Sequence, residues 1–242
     1  MLGSGYRRGK MSFIRLLYYE LRLGMLRARY LAVLPAGMLL AWDYRRAMGL
    51  GGAWDCLAYV MLGAEPGARL GLPAAWLLAL SACLLPNLGF GALENTQLLV
   101  SAGRVRGWFV KCLWSLAAAV QCALVLYAGM ALALPGRPLY SVTAQPEYLL
   151  LALAATAALN LLQTLLAACL GPAPAFLAVL AVLAASVYFC SPLLIGNWAM
   201  LLRSRELGLT PGFAACLAVW MLTAAAGAAL MRRRDFIRGP GQ

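Results

Sequence analysis

The sequence predicts an all-α polytopic membrane protein, and three observations carry that prediction. Of 242 residues, 64% are hydrophobic and 12% are charged, whereas soluble domains run about 45–50% apolar and about 25% charged. Mean hydropathy is +0.80. Several uncharged stretches between successive charges reach the ~20 residues that a spanning helix needs. Low-complexity tracts and internal repeats are not evident, so residues 1–242 read as one transmembrane domain.

The elements follow in order. The start MLGSGYRRGK is polar, so no cleavable signal peptide is expected. From Ser12 to Arg29, Arg15, Arg22 and Arg29 recur every seven residues, and Ile14, Leu17, Leu21, Met25 and Ala28 mark the opposite face. That pattern suits a helix over 12–29 lying in the membrane interface, or a basic anchor ahead of the first span. Only Tyr30 to Trp42 is uncharged between Arg29 and Asp43. Snorkelling of Arg27 and Arg29, with Asp43, Arg45 and Arg46 in the opposite headgroup layer, extends the first span to 28–47. A re-entrant segment, and five spans in all, is the alternative.

Four windows are clearer. Leu70–Leu93 and Cys112–Gly136 give spans at 71–93 and 108–134, and Leu207–Met231 gives one at 212–231. The longest window, Tyr148–Leu202, is broken by Gly171-Pro172-Ala173-Pro174, because proline removes a helical donor and restricts the residue before it. Spans at 148–170 and 174–190 result. After them, Ser191-Pro192 reads as a helix N-cap with proline at the first helical position. The apolar run from Leu193 to Leu202 is too short to cross, so 192–204 is expected to be a helix dipping into the outer leaflet and packed against protein. The loop around Trp54, Leu57, Tyr59, Val60, Met61 and Leu62 is also partly apolar.

Charge placement chooses between five and six spans. Formal net charge is +12, from 20 Lys+Arg and 8 Asp+Glu. Six spans put 14 basic and 3 acidic residues inside, net +11, and leave 6 basic and 5 acidic outside, net +1. Five spans would put the two basic termini on opposite sides, against the positive-inside rule. A membrane protein with both termini cytoplasmic is therefore expected, and the basic balance becomes an orientation signal in place of a nucleic-acid footprint.

Composition also removes chemistry. With no histidine, a Ser-His-Asp triad, a Cys-His pair and a His-ligated metal are excluded within this chain. The seven cysteines show no C-x-x-C spacing and mostly lie in apolar runs, as small hydrophobes do; Cys56 and Cys190 are the two placed to face outside. Neither lysine, Lys10 or Lys111, ends a phosphate-binding loop. Neither a catalytic residue nor a metal site is expected. No charged residue lies at mid-membrane depth in the clear spans, which argues against ion-coupled transport. The polar residues there, Asn87, Gln121, Asn160, Gln163 and Thr164, read as interhelical hydrogen-bonding groups or as the lining of a substrate path.

The segment from Gly91 to Lys111 is the most informative. Glu94–Ser101 can form two helical turns, Gly103 suits the left-handed residue after a helix end, Arg104 and Arg106 meet phosphate headgroups, and Trp108 belongs in the aromatic belt. It reads either as a short helix on which a partner could push or as a plain cytoplasmic loop.

These residues resemble the permease subunits of bacterial ABC-2 type ABC transporters, of type V exporter-like architecture. The resemblance runs through Tyr18-Tyr19-Glu20-Leu21, Glu94-Asn95-Thr96-Gln97-Leu98-Leu99-Val100, Arg104 to Trp114, Asn197 to Ser204, and Arg232-Arg233-Arg234-Asp235. It implies an N-terminal interfacial connecting helix, six spans, a coupling helix at 94–103 and short outer helices before span six. It also implies a second permease chain, identical or homologous, and two cytoplasmic ABC ATPase subunits, which would bind the ATP and magnesium; this chain needs no cofactor. Glu94, Asn95, Thr96, Gln97, Leu98 and Leu99 would then meet the ATPase while Arg104 and Arg106 anchor the segment to membrane lipid. Nucleic acid is not an expected partner. The expected function is export of an amphipathic or apolar substrate such as a peptide, drug or lipid-like molecule. A non-transporting scaffold or sensor that recruits a cytoplasmic partner is the main rival; an intramembrane enzyme would have to work without histidine or a clustered acid pair.

Overall fold

The structure, a computed structural model, describes residues 13–15, 17–18, 28–49, 51–63, 71–86, 104–136 and 146–233. Among them every regular element is helical. A 3-10 turn at Ala28–Ala32 leads into α1 (Val33–Met48); α2 (Ala53–Leu62) and α3 (Gly71–Leu84) follow. Then come α4 (Arg104–Ala133), α5 (Pro146–Leu170), α6 (Pro172–Tyr188), the short α7 (Ile195–Trp198) and α8 (Leu201–Leu207), and α9 (Leu209–Arg233).

Prolines mark the starts. Pro35, Pro73, Pro146, Pro172 with Pro174, and Pro211 each lie in the first turn of α1, α3, α5, α6 and α9. There the missing N–H has no helical partner to lose, and the fixed φ favours the helix. The same rule corrects the expected start of the fifth span at residue 174. Both prolines fit inside the first turn, so α6 begins at Pro172 and the break from α5 is Gly171 alone, at φ 94°. Only glycine takes that conformation without steric cost.

Three helices, α4, α5 and α9, are long and apolar enough to cross a membrane. They coincide with the segments predicted at 108–134, 148–170 and 212–231, each extended by a few residues. The other predicted spans correspond to shorter helices: the turn plus α1 covers 28–48, α3 with its following turn is described to Pro86, and α6 runs over 172–188. Of the predicted interfacial segment, Phe13–Arg15 and residues 17–18 are helical, with Ile14 and Tyr18 exposed; most of 19–29 lies outside the described residues. So do residues 87–103.

Three apolar clusters hold the bundle. One joins α1, α2, α3 and α4 around Leu40, Val60, Trp114 and Met130. A second joins α3, α5, α6, α7 and α9 around Trp76, Leu159, Leu183 and Trp198. The third closes α4, α5 and α9 on each other through Trp108, Leu161 and Met231. α4 is thus the partner of α1 on one side and of α5 and α9 on the other.

The crossing of α1 and α4 depends on two glycines. A Cβ added at Gly37 would lie 3.1 Å from the Gly129 Cα, one added at Gly129 would lie 3.1 Å from the Gly37 Cα, and each would run into a carbonyl oxygen of the facing helix. Backbones this close gain van der Waals contact that larger residues would forbid, the usual driving force for helix association in lipid. Gly129→Leu is accordingly expected to destabilise the bundle by about 1–3 kcal/mol, whereas Leu132→Ala on the exposed face of α4 should stay within about 0.5 kcal/mol. Thermal unfolding in detergent measures both; equal midpoints for Gly129→Leu and the parent would refute the close crossing.

Candidate functional site

Between α6 and α9 the chain is not one dipping helix over 192–204, as its apolar run suggested. Ser191 opens a turn: its carbonyl accepts from the Leu194 N–H at 3.1 Å and its hydroxyl from the Leu193 N–H at 3.3 Å. The turn is followed by α7 and α8, separated at Ala199 and Met200. Residues 195–201 are all buried. The Ser191 hydroxyl keeps a cap-like local bond, but the turn does not continue as a helix, and α7 begins only at Ile195.

The carbonyls that end α6 are claimed chiefly by Arg203, placed by its sequence among surface charges but only 1% exposed. Its Nη1 donates to the carbonyls of Ser186 and Phe189 (3.1 Å for the latter) and to Asn197 Oδ1 at 2.6 Å, and its Nη2 donates to the Val187 carbonyl at 2.7 Å. The last carbonyls of a helix lack intrahelical partners and carry the negative end of its dipole. A guanidinium supplies both the donors and the opposite charge. Asn197 completes the arrangement, its Nδ2 donating to Phe189 O at 2.9 Å and Ser191 O at 2.8 Å. Indoles pin the same segment: Trp198 Nε1 donates to Pro192 O at 3.0 Å, and Trp76 Nε1, from α3, to Ala199 O at 3.2 Å. Exposed Arg205 lies over the Tyr148 ring at 5.7 Å, tying α8 to the start of α5.

Beside this lock an apolar cavity of about 360 Å³ opens between α2, α3, α4 and α5. Trp54, Leu57 and Met61 of α2 line one end together with Tyr127 and Leu149; Cys83, Ala119 and Thr156 lie at the other. The Trp54 and Tyr127 rings meet edge to face, 6.2 Å apart. α4 and α5 pack together near Trp108 and Leu161 and stand apart here. The polar atoms of the deeper end are engaged: Thr156 Oγ1 donates to Ala152 O at 2.8 Å, and the Cys83 carbonyl accepts from Cys122 Sγ at 3.3 Å. Water needs two to four polar partners to settle in a cavity.

The predicted path residues among those described, Gln121, Asn160, Gln163 and Thr164, do not line that cavity. Asn160, Gln163 and Thr164 are buried on α5, one or more turns beyond Thr156, and Gln121 is half-buried on α4. Thr164 Oγ1 donates to Asn160 O within its own helix at 2.8 Å. Gln163 is 1% exposed, and among the described residues neither atom of its amide has a hydrogen-bond partner. Asn87 and the predicted coupling residues Glu94, Asn95, Thr96, Gln97, Leu98 and Leu99 lie outside the described residues. Arg104 and Arg106 open α4, the first half-buried and the second exposed.

Trp108 corrects another expectation. In place of an aromatic belt position it is 1% exposed and donates from Nε1 to Ala224 O at 2.8 Å, in a slot that a side chain at Gly227 would fill. Cys56, expected to face outward, is fully buried; burial, with the Asp43 carboxylate adding to it, pushes its thiol up to about 12. Cys190 is exposed, as is Cys169 at the far end of α5. Among the described residues no group of His, Cys, Asp and Glu could hold a metal ion.

Sequence reasoning missed Arg203 because a loop arginine thirteen residues past the predicted span looks like a headgroup contact. It missed the cavity because a space left between helices has no linear signature. Comparison with known proteins finds no matching family model, no matching curated protein and no matching solved structure.

Two substitutions test the site. Arg203→Leu removes a donor from four acceptors, of which only Phe189 O keeps another, from Asn197, and is expected to cost on the order of 3 kcal/mol, with Arg203→Lys intermediate because an ammonium cannot fork across them. Gln163→Leu removes an unpaired buried amide and should raise stability by about 1 kcal/mol. Unfolding midpoints in detergent that leave Arg203→Leu at the parent value, or that fall for Gln163→Leu, would contradict these assignments.

Proposed function

We propose that this chain is the membrane permease subunit of an ATP-binding cassette transporter of the ABC-2 type. It crosses the membrane six times with both termini cytoplasmic, pairs with a second permease chain, and exports an amphipathic or apolar substrate with energy from two separate ATPase subunits. The observation that carries the proposal is the pair of short helices α7 and α8, buried directly ahead of the last long helix, where the resemblance in sequence implies outer helices. The three long apolar helices are consistent with it. So are the net +11 and +1 that six spans assign to the two sides. Without a phosphate-binding loop in this chain, nucleotide chemistry must come from a partner, and the segment 94–103 would receive its push.

Nucleotide closure of the ATPase pair would move that segment, and α4, which begins at Arg104, would carry the movement along its length to the cavity and the crossing with α1. Two measurements test the proposal. The chain should co-purify with an ABC ATPase whose turnover falls about tenfold or more when Leu98 and Leu99 are both changed to Asp, since charge there would oppose an apolar contact. A chain that purifies alone and stimulates no ATPase would instead favour the scaffold or sensor reading. For orientation, a membrane-impermeant maleimide on intact cells should label Cys190 and spare both Cys169, on the cytoplasmic side, and Cys56, which is fully buried. Labelling of Cys169 without Cys190 would reverse the topology.

A further inference from the structure

We propose that the cavity between α2, α3, α4 and α5 is a binding pocket for one hydrocarbon chain of a membrane lipid, entered sideways from the bilayer. The inference stands apart from the transport reading: it needs only that the apolar helices lie in a membrane.

Size and shape set the class of ligand. At about 360 Å³ the pocket falls inside the ~300–1,000 Å³ range of ligand cavities. Its wall on α4 runs from Ala119 to Tyr127, eight residue steps or about 12 Å at 1.5 Å per residue. That is long and narrow, suited to an extended chain, and too short to hold a whole lipid.

Chemistry sets the rest. The hydroxyl of Thr156 is already bonded within its own helix, and no charged side chain lines the wall, so a headgroup would find nothing to bind there. The polar-edged rings Trp54 and Tyr127 lie together at one end, the arrangement favoured where hydrocarbon gives way to headgroups. A chain therefore enters tail inward, with its ester end near these rings.

The way in is visible on α4. Val120 and Leu124 line the pocket and are also 47% and 64% exposed on the outer face of the bundle. The pocket thus meets the surrounding medium through two aliphatic side chains, and for a bundle in a membrane that medium is acyl chain. Occupancy would also fill a space that neither water nor the protein's own side chains fill, which ties the packing of α2 over the pocket to the lipid present.

The test uses the full chain reconstituted in phosphatidylethanolamine–phosphatidylglycerol vesicles doped with a phosphatidylcholine that carries a diazirine on one acyl chain. After photolysis, peptide mapping should place adducts on the inward-facing Met61 and Ala123 at about fivefold or more the density on Leu217 and Leu222, exposed on α9, which report ordinary boundary lipid. Filling the pocket with Ala123→Trp should cut labelling of Met61 at least about threefold and leave Leu222 unchanged. Labelling of Met61 and Ala123 no greater than that of α9 would overturn the proposal, and this comparison needs only the unaltered chain. Quantitative disulfide formation between two Leu124→Cys chains, with no adducts inside the pocket, would overturn it in favour of a second copy as the occupant.

Discussion

A helix that ends away from water leaves carbonyls that must find donors, and an arginine taken out of water must find acceptors. At the end of α6 these two demands meet. The Arg203 guanidinium reaches the carbonyls of Ser186, Val187 and Phe189, and Asn197 holds the following turn against the same point. Much else at that end depends on this arrangement. It lets residues 195–200 lie buried as one short helix and irregular chain, which in an apolar medium is tolerated where the backbone groups are satisfied. With the segment fixed, Trp198 and Met200 become core residues between α5, α6 and α9, and Trp76 of α3 gains the Ala199 carbonyl as its acceptor.

The same requirement explains the indoles elsewhere. Trp108 donates to a carbonyl of α9 and Trp220 of α9 donates to Ser115 of α4 at 3.2 Å. Each pair stitches two long helices at a fixed height, a more specific constraint than apolar packing alone provides. They fix α4 against α9 toward the start of α4, while the glycine crossing with α1 holds the other end of α4, at Gly129. At the end near α2, α4 and α5 diverge and the cavity results. In the proposed function, movement delivered to the start of α4 would therefore be felt where its packing is loosest.

How much of this was legible beforehand differs by residue. The apolar runs and the prolines gave α4, α5, α6 and α9 to within a few residues, since length and first-turn chemistry are local properties. The split of 192–204 into α7 and α8 was not legible, because it depends on acceptors contributed by α6 and a donor from α3. Trp108, Cys56 and Arg203 were each read as facing outward and are each buried. For Arg203 and Trp108 the type of residue was a fair guide to surface preference, and a specific acceptor reversed it; Cys56 was misjudged from its place in a loop, and packs into the core as a small hydrophobe. Of the candidate path, Gln163 stands out as a buried amide without a partner among the described residues, while Thr164 is satisfied within its own helix.

The sequence by itself determined that the chain is helical, where most helices begin, that it is strongly basic, and that catalysis by histidine is excluded. Those follow from composition and from neighbours a few residues apart. Tertiary structure decided which polar groups could be buried, which helices touch through glycine, and where a cavity remains. The reason is physical: the cost of burying a guanidinium or an indole depends on whether a carbonyl lies within about 3 Å. For Arg203, Trp76 and Trp108 that carbonyl comes from 14 to 123 residues away.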